Sequence, residues 1–207
     1  MKQIGRHWFP DNTQDRQAAH ALRHRASLFK ALDLVATFRT TVQAGGNVGL
    51  WPLALADRFA KVFTFEPEPV SMECLIKNCA GLDNVTISSA ALGAAPGTGK
   101  IDRKSLGSHK MAAGESAGTP CDVITVDSMG IDDLDFLQLD VEGFELFALE
   151  GALETVRRCS PVIQLEFREF GLRYGATDAA VYALLKREGY RMEMATGGCD
   201  QVFLRGG

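Results

Sequence analysis

From about residue 40 onward the chain alternates short apolar runs with amphipathic stretches, and that alternation fixes the class of fold open to it. The pattern predicts strands over 40–44, 61–66, 84–88, 134–140 and 161–167. Between them it predicts helices over 50–59, 70–79 and 144–157, with another over 178–188. Units of this kind set successive strands parallel in one sheet and place helices on both of its faces. Two more strands, over 190–195 and 201–205, flank Thr196-Gly197-Gly198-Cys199-Asp200, a hairpin signature that makes the far edge antiparallel. The stretch 93–120 is rich in Gly, Ala, Ser and Lys without a sustained period. It reads as loops around a weak strand near 100–103, followed by a strand over 123–126. The first ten residues read as irregular. Then Ala18, Leu22, Ala26, Phe29 and Leu32 recur at three- and four-residue steps, predicting a helix over 14–33.

Composition narrows the class further. The 207 residues are 46% apolar and 23% charged, values of an ordinary soluble domain that exclude disordered, collagenous and coiled-coil chains. The most apolar run, 50–56, is too short to span a bilayer, and no secretory leader opens the chain, so a cytoplasmic location and no membrane partner are expected. Five scattered cysteines with no CxxC pair suggest neither a zinc ribbon nor a disulfide framework. Charge is uneven. Residues 1–40 carry seven Lys/Arg and three Asp, a net +4, so the remainder of a chain of net charge -4 carries -8. The division expected is a basic helical arm over 1–39 and a body over 40–207.

Ligands of parallel α/β sheets bind beyond the carboxyl ends of the strands, and three strand ends here carry chemistry. The first runs Gln43-Ala44-Gly45-Gly46-Asn47-Val48-Gly49 straight into a helix. Its glycines permit a tight turn and close backbone approach to a ligand. The second ends in Glu66-Pro67, an acid placed to accept two hydrogen bonds from a ribose diol. The third ends in Asp140-Val141-Glu142-Gly143. Two carboxylates at the end of an apolar strand are costly unless they have work to do there. The glycines lack the six-residue dinucleotide spacing, and no Walker lysine follows them. A nucleoside cofactor without a pyrophosphate, S-adenosylmethionine, fits the shorter pattern, and a nicotinamide dinucleotide does not. The proton acceptors for a hydroxyl substrate are then Asp140, Glu142, Glu166 and the loop residue His109. Arg173 and Tyr174 are expected near the acceptor, and no metal ligand set is expected.

These residues resemble the FkbM family of S-adenosylmethionine-dependent methyltransferases. The resemblance rests on VQAGGNVGLWPLALADRFAKVFTFEPEP (42–69), NVTISSAALG (84–93), FLQLDVEGFELFALEGALETV (136–156) and PVIQLEF (161–167). The opening WFPDN is similar to compact phage and bacterial members. The resemblance implies a Rossmann-like class I fold, a three-layer αβα sandwich with a mostly parallel seven-stranded sheet and a C-terminal antiparallel hairpin. It implies cofactor contacts from Gln43, Gly45, Gly46, Asn47, Gly49, Glu66, Pro67, Ser89, Ala90 and Asp140, with Asp140, Glu142 and Gly143 facing the transferable methyl. It implies O-methylation of a hydroxyl on a sugar, glycan or small molecule, with S-adenosylhomocysteine as product. Two positions depart from the family pattern: Gln43 stands for an Asp and Gln138 for a Lys. A nucleic-acid methyltransferase, a non-catalytic cofactor-binding homologue and a homodimer stay open as alternatives.

Overall fold

The computed structural model describes residues 1–105, 108–111, 118–197 and 199–206, with side chains for all of these except 24–25, 103–105, 108–111 and 197. The elements in chain order are β1 (Lys2–Ile4), β2 (His7–Phe9), α1 (Asp15–Leu32), β3 (Thr40–Ala44), α2 (Leu50–Ala56), β4 (Lys61–Phe65) and α3 (Pro69–Asn78). Then come β5 (Val85–Ser88), β6 (Ala91–Leu92), β7 (Gly97–Ser105), β8 (Ser108–Met111), β9 (Thr119–Ile124) and β10 (Leu134–Leu139). The last are α4 (Glu145–Glu150), α5 (Leu153–Cys159), β11 (Val162–Glu166), α6 (Asp178–Arg187), β12 (Tyr190–Gly197) and β13 (Asp200–Arg205).

Seven strands form the main sheet in the order β12-β13-β11-β10-β3-β4-β5. The five from β11 to β5 pair parallel, and β13 runs antiparallel between β11 and β12. The central strands are buried on both faces, which is why they read as continuous apolar runs. On one face Leu137, Leu139, Ile163 and Leu165 pack with α4, α5 and α6 through Ala148, Leu149, Val156 and Leu184. On the other, Phe136, Val162 and Val62 meet Leu28, Ala31 and Leu32 of α1 and Trp51, Ala54 and Leu55 of α2. The N-terminal helix is therefore part of this layer, and its stability comes from that buried stripe. Toward the strand ends the same face turns polar. Gln43, Gln138 and Gln164 stand side by side in register across β3, β10 and β11, all three buried.

Three parts of the chain differ from the sequence expectation. Residues 1–10 are ordered: β1 and β2 pair antiparallel, and Asn78 ties them to α3 by accepting from the Trp8 N–H at 2.7 Å and donating to the Trp8 carbonyl at 2.8 Å. The stretch 93–120 contributes to a second sheet, in the order β6-β9-β7-β8. In β9 only Cys121 is buried, so there was little apolar alternation to read. The helix expected over 144–157 is two helices, broken at Gly151. A Cβ on Gly151 would lie 2.0 Å from the Gly93 carbonyl oxygen, and the Gly151 carbonyl accepts from the Asp127 N–H at 2.9 Å. The chain bends there because two backbones touch.

That contact makes Gly151→Ala an overpacking substitution with no side chain able to yield. It is expected to destabilise the protein by about 1–3 kcal/mol, measured as a lower urea midpoint at unchanged slope.

Candidate active site

The site sits where β3, β4, β10 and β11 end. The β3 and β10 ends approach very closely: the Asp140 N–H donates to the Ala44 carbonyl at 3.1 Å, and a Cβ on Gly45 would fall 1.9 Å from the Asp140 carbonyl oxygen. Gly45 also has φ +83°, a left-handed conformation open to glycine at little cost. The turn then folds back over β4. The N–H groups of Gly45 and Gly46 both donate to the Phe65 carbonyl, at 3.0 and 2.9 Å. Glu66 locks it, accepting from the Asn47 N–H at 2.7 Å through one oxygen and from the Glu68 N–H at 2.8 Å through the other. A carboxylate at this strand end is the acceptor type that a ribose diol takes.

These strand ends line one cavity of about 580 Å³. Its walls hold Gly45, Gly46, Asn47, Glu66 and Pro67 on the β3–β4 side, Ala90, Ala91 and Leu92 beyond them, and Asp140, Glu142 and Glu166 on the β10–β11 side. The side chains at 90–91 are small and apolar and leave the cavity wall open to a ring such as adenine. The Oδ1 of Asn47 is buried with no hydrogen-bond partner, an acceptor suited to an ammonium donor such as the amino group of a methionine tail. The residues present therefore fit S-adenosylmethionine.

Asp140, Glu142 and Glu166 each offer an oxygen within 4.8 Å of the others. That is the donor type of a hard-cation site, but part of the charge is offset from within, because Arg168 Nε lies 2.6 Å from Glu166 Oε1. Burial is the largest cause of a raised pKa at all three, and neighbouring acids add to it (Asp200 and Glu142 at Asp140, Glu166 at Glu142, Asp140 at Glu166): Asp140 and Glu142 are pushed up to about 7 and Glu166 to about 8. Local backbone fixes their aim. Glu142 is left-handed at φ +56°. Gly143, at φ +100°, leaves no room for a Cβ, which would meet the Phe170 carbonyl carbon at 2.4 Å. Glu145 holds the turn by accepting from the Val141 and Gly143 N–H groups at 3.1 and 3.2 Å.

Other expected residues fall elsewhere. Gln43 is inside the sheet and off the cavity wall. Its side chain accepts from Thr64 Oγ1 and donates to the Ala44 carbonyl, because residue 43 faces the α1–α2 layer one step short of the strand end. Gly49 caps α2 at φ +90°, and a Cβ there would meet Leu75 at 2.9 Å; its role is helix packing. Ser89 is exposed and off the wall, and the lining begins at Ala90. Arg173 lies over the Phe170 ring at 4.6 Å and Tyr174 packs edge-on against Phe144 at 5.3 Å. Both support the cavity without lining it. The side chain of His109 lies outside the described residues. The cavity also takes in Phe144, Arg168 and one face of α1, with Arg16, His20 and Arg23. The signal for them in the sequence is the spacing i, i+4 and i+7, which places these three on one helix face.

Comparison with solved structures places this architecture. The chain aligns over 92% of its length, at 16% identity and TM-score 0.56, with an FkbM methyltransferase from Methylobacillus flagellatus KT, and spans 55% of that chain. A Streptococcus mutans protein solved with S-adenosylhomocysteine aligns over 93% of this chain and 98% of its own, at 9% identity and TM-score 0.51. Magnesium protoporphyrin IX methyltransferase from Synechocystis PCC 6803, solved with S-adenosylmethionine, aligns over 95% of this chain and 87% of its own, at 12% identity and TM-score 0.50. No curated protein matches the sequence. The fold is that of the Rossmann-like class I methyltransferases. The methyltransferase FkbM domain model matches residues 43–192, and the chain belongs to the FkbM methyltransferase family. Among the described residues no helix is long and apolar enough to cross a membrane.

The raised carboxyls tie stability to pH. A carboxyl whose folded pKa lies above its unfolded value keeps a proton that the unfolded chain has released. Its contribution is complete below the unfolded carboxyl range and is lost as pH rises through the folded values of about 7 to 8. The melting temperature is expected to fall between about pH 5 and pH 9, and Glu166→Gln, neutral throughout, to flatten that slope in a scanning fluorimetry series.

Proposed function

We propose that this chain transfers a methyl group from S-adenosylmethionine to a hydroxyl oxygen of a sugar, glycan or other small molecule. The observation that carries the reading is the apposition of Gly45 and Asp140, which puts a glycine-lined cofactor turn and three proton-accepting carboxylates in one cavity. Bound there, the cofactor supplies an electrophilic methyl on a sulfonium. Glu66 holds the ribose, and the Ala90–Leu92 wall holds the base. Asn47 accepts from the amino group through its unpartnered Oδ1. Phe144 and Val141 line the acceptor side, and alignment of the acceptor with the methyl accounts for most of what such a transfer requires.

Asp140, Glu142 and Glu166 form the sink for the hydroxyl proton. Burial holds Asp140 and Glu142 near pKa 7, where a group serves best as general base in neutral solution. No disulfide joins the five cysteines, which supports a reducing compartment such as the cytoplasm.

Two substitutions separate binding from chemistry. Glu66→Ala is expected to abolish S-adenosylhomocysteine binding in calorimetry, since it removes the ribose acceptor and the brace of the Asn47 turn together. Failure of the unaltered protein to bind S-adenosylhomocysteine would sink the cofactor assignment. Asp140→Asn is expected to keep S-adenosylhomocysteine affinity within a few-fold. Radiolabelled methyl transfer to a panel of sugars and glycans should fall about 10²–10⁴-fold.

A further inference from the structure

The α1 wall of the cavity has no place in the reaction so far. Arg16, His20 and Arg23 lie at i, i+4 and i+7 of one helix and all line the cavity. That spacing puts them on a single face, along a stripe of about 10 Å at 1.5 Å rise per residue. All three are exposed to the cavity and solvent. Among the described residues no ion pair joins Arg16 or Arg23 to an acid. The arginines that act on the carboxylate floor are others: Arg168 and Arg173 draw down Glu142, and Arg168 pairs with Glu166. The helix is also held without them. Its apolar stripe, with Leu28, Ala31 and Leu32, fixes it to α2 and the sheet, so the cationic face is not needed to anchor the helix.

A pocket with an acidic floor would repel an anionic molecule. A cationic wall above that floor reverses the preference and makes the pocket bipolar: an anionic group is drawn to α1 and a hydroxyl is left toward Asp140 and Glu142. One carboxylate of a methionine tail needs one such cation, and the stripe has more than one to offer. We propose that Arg16, His20 and Arg23 form an anion subsite that holds the phosphate or carboxylate of an acidic acceptor, such as a phosphorylated or carboxylated sugar, while its hydroxyl faces the carboxylates. This rests on the methyltransferase reading above and names its acceptor class.

The test uses the full chain saturated with S-adenosylhomocysteine and titrated calorimetrically with inorganic pyrophosphate as the anion probe. The unaltered protein should bind the probe, with affinity falling as salt rises. The double variant R16Q/R23Q should bind it at least tenfold more weakly with S-adenosylhomocysteine affinity held within about twofold. Lys30→Gln, on the same helix but off the cavity, should match the unaltered protein. Circular dichroism confirms that α1 is kept. Three results overturn the proposal: no pyrophosphate binding by the unaltered protein, equal binding by R16Q/R23Q, or a loss of S-adenosylhomocysteine affinity in that variant as large as its loss for the probe. The last would assign the face to the cofactor's own carboxylate. If the unaltered protein takes no S-adenosylhomocysteine at all, the methyltransferase reading itself fails, which is a separate result.

Discussion

Everything at the site depends on how closely two backbones approach. The turn after β3 passes so near the end of β10 that residue 45 has no room for a side chain, and its left-handed φ would burden one even in open space. Because they touch, the glycine-rich turn after β3 and the strand that presents Asp140 share one wall. A wider separation would still give a parallel sheet, but its cofactor turn and its acids would face different clefts. Gly143 repeats the device one turn later against Phe170, which sets the height at which Glu142 stands.

The charge of the cavity follows from that geometry. Three carboxylates are forced together by strand ends that cannot spread, in surroundings where water cannot screen them well. They hold protons more tightly in response. Arg168, carried just past β11, answers one of them. The opposite wall is built from a different part of the chain, the amphipathic helix that the sheet recruits into its α2 layer. The two walls are therefore held by independent packing, so the cavity face of α1 can change its side chains without disturbing the floor.

Much of this was legible in the amino-acid sequence, for identifiable reasons. The doubly buried strands are runs of Val, Leu, Phe and Ile bounded by Gly, Asp or Pro, and those signals are local. Glu66 and Asp140 were legible because a carboxylate ending such a run has few structural uses. What escaped was non-local. The break at Gly151 comes from Gly93, 58 residues earlier in the chain. Strands β7 and β9 were legible only in part, near 100–103 and from 123, because their apolar face is small: Ile101 and Cys121 with Ala91 and Val123. Gln43 sits beside the cofactor turn in sequence, yet strand parity turns it inward. The cationic face of α1 becomes a cavity wall only through the packing of its other face.

The buried glutamines of β3, β10 and β11 have a consequence for how the family member could evolve. They form a polar course between the hydrocarbon core and the carboxylate floor, and the Oε1 atoms of Gln138 and Gln164 have no partner there. Each such group sets the fold back by about 1–3 kcal/mol. A lineage selected for robustness alone would exchange them for leucine or methionine, which fit the same volume. Either exchange would replace an unmet hydrogen bond with hydrocarbon two residues short of Asp140 or Glu166 on the same strand.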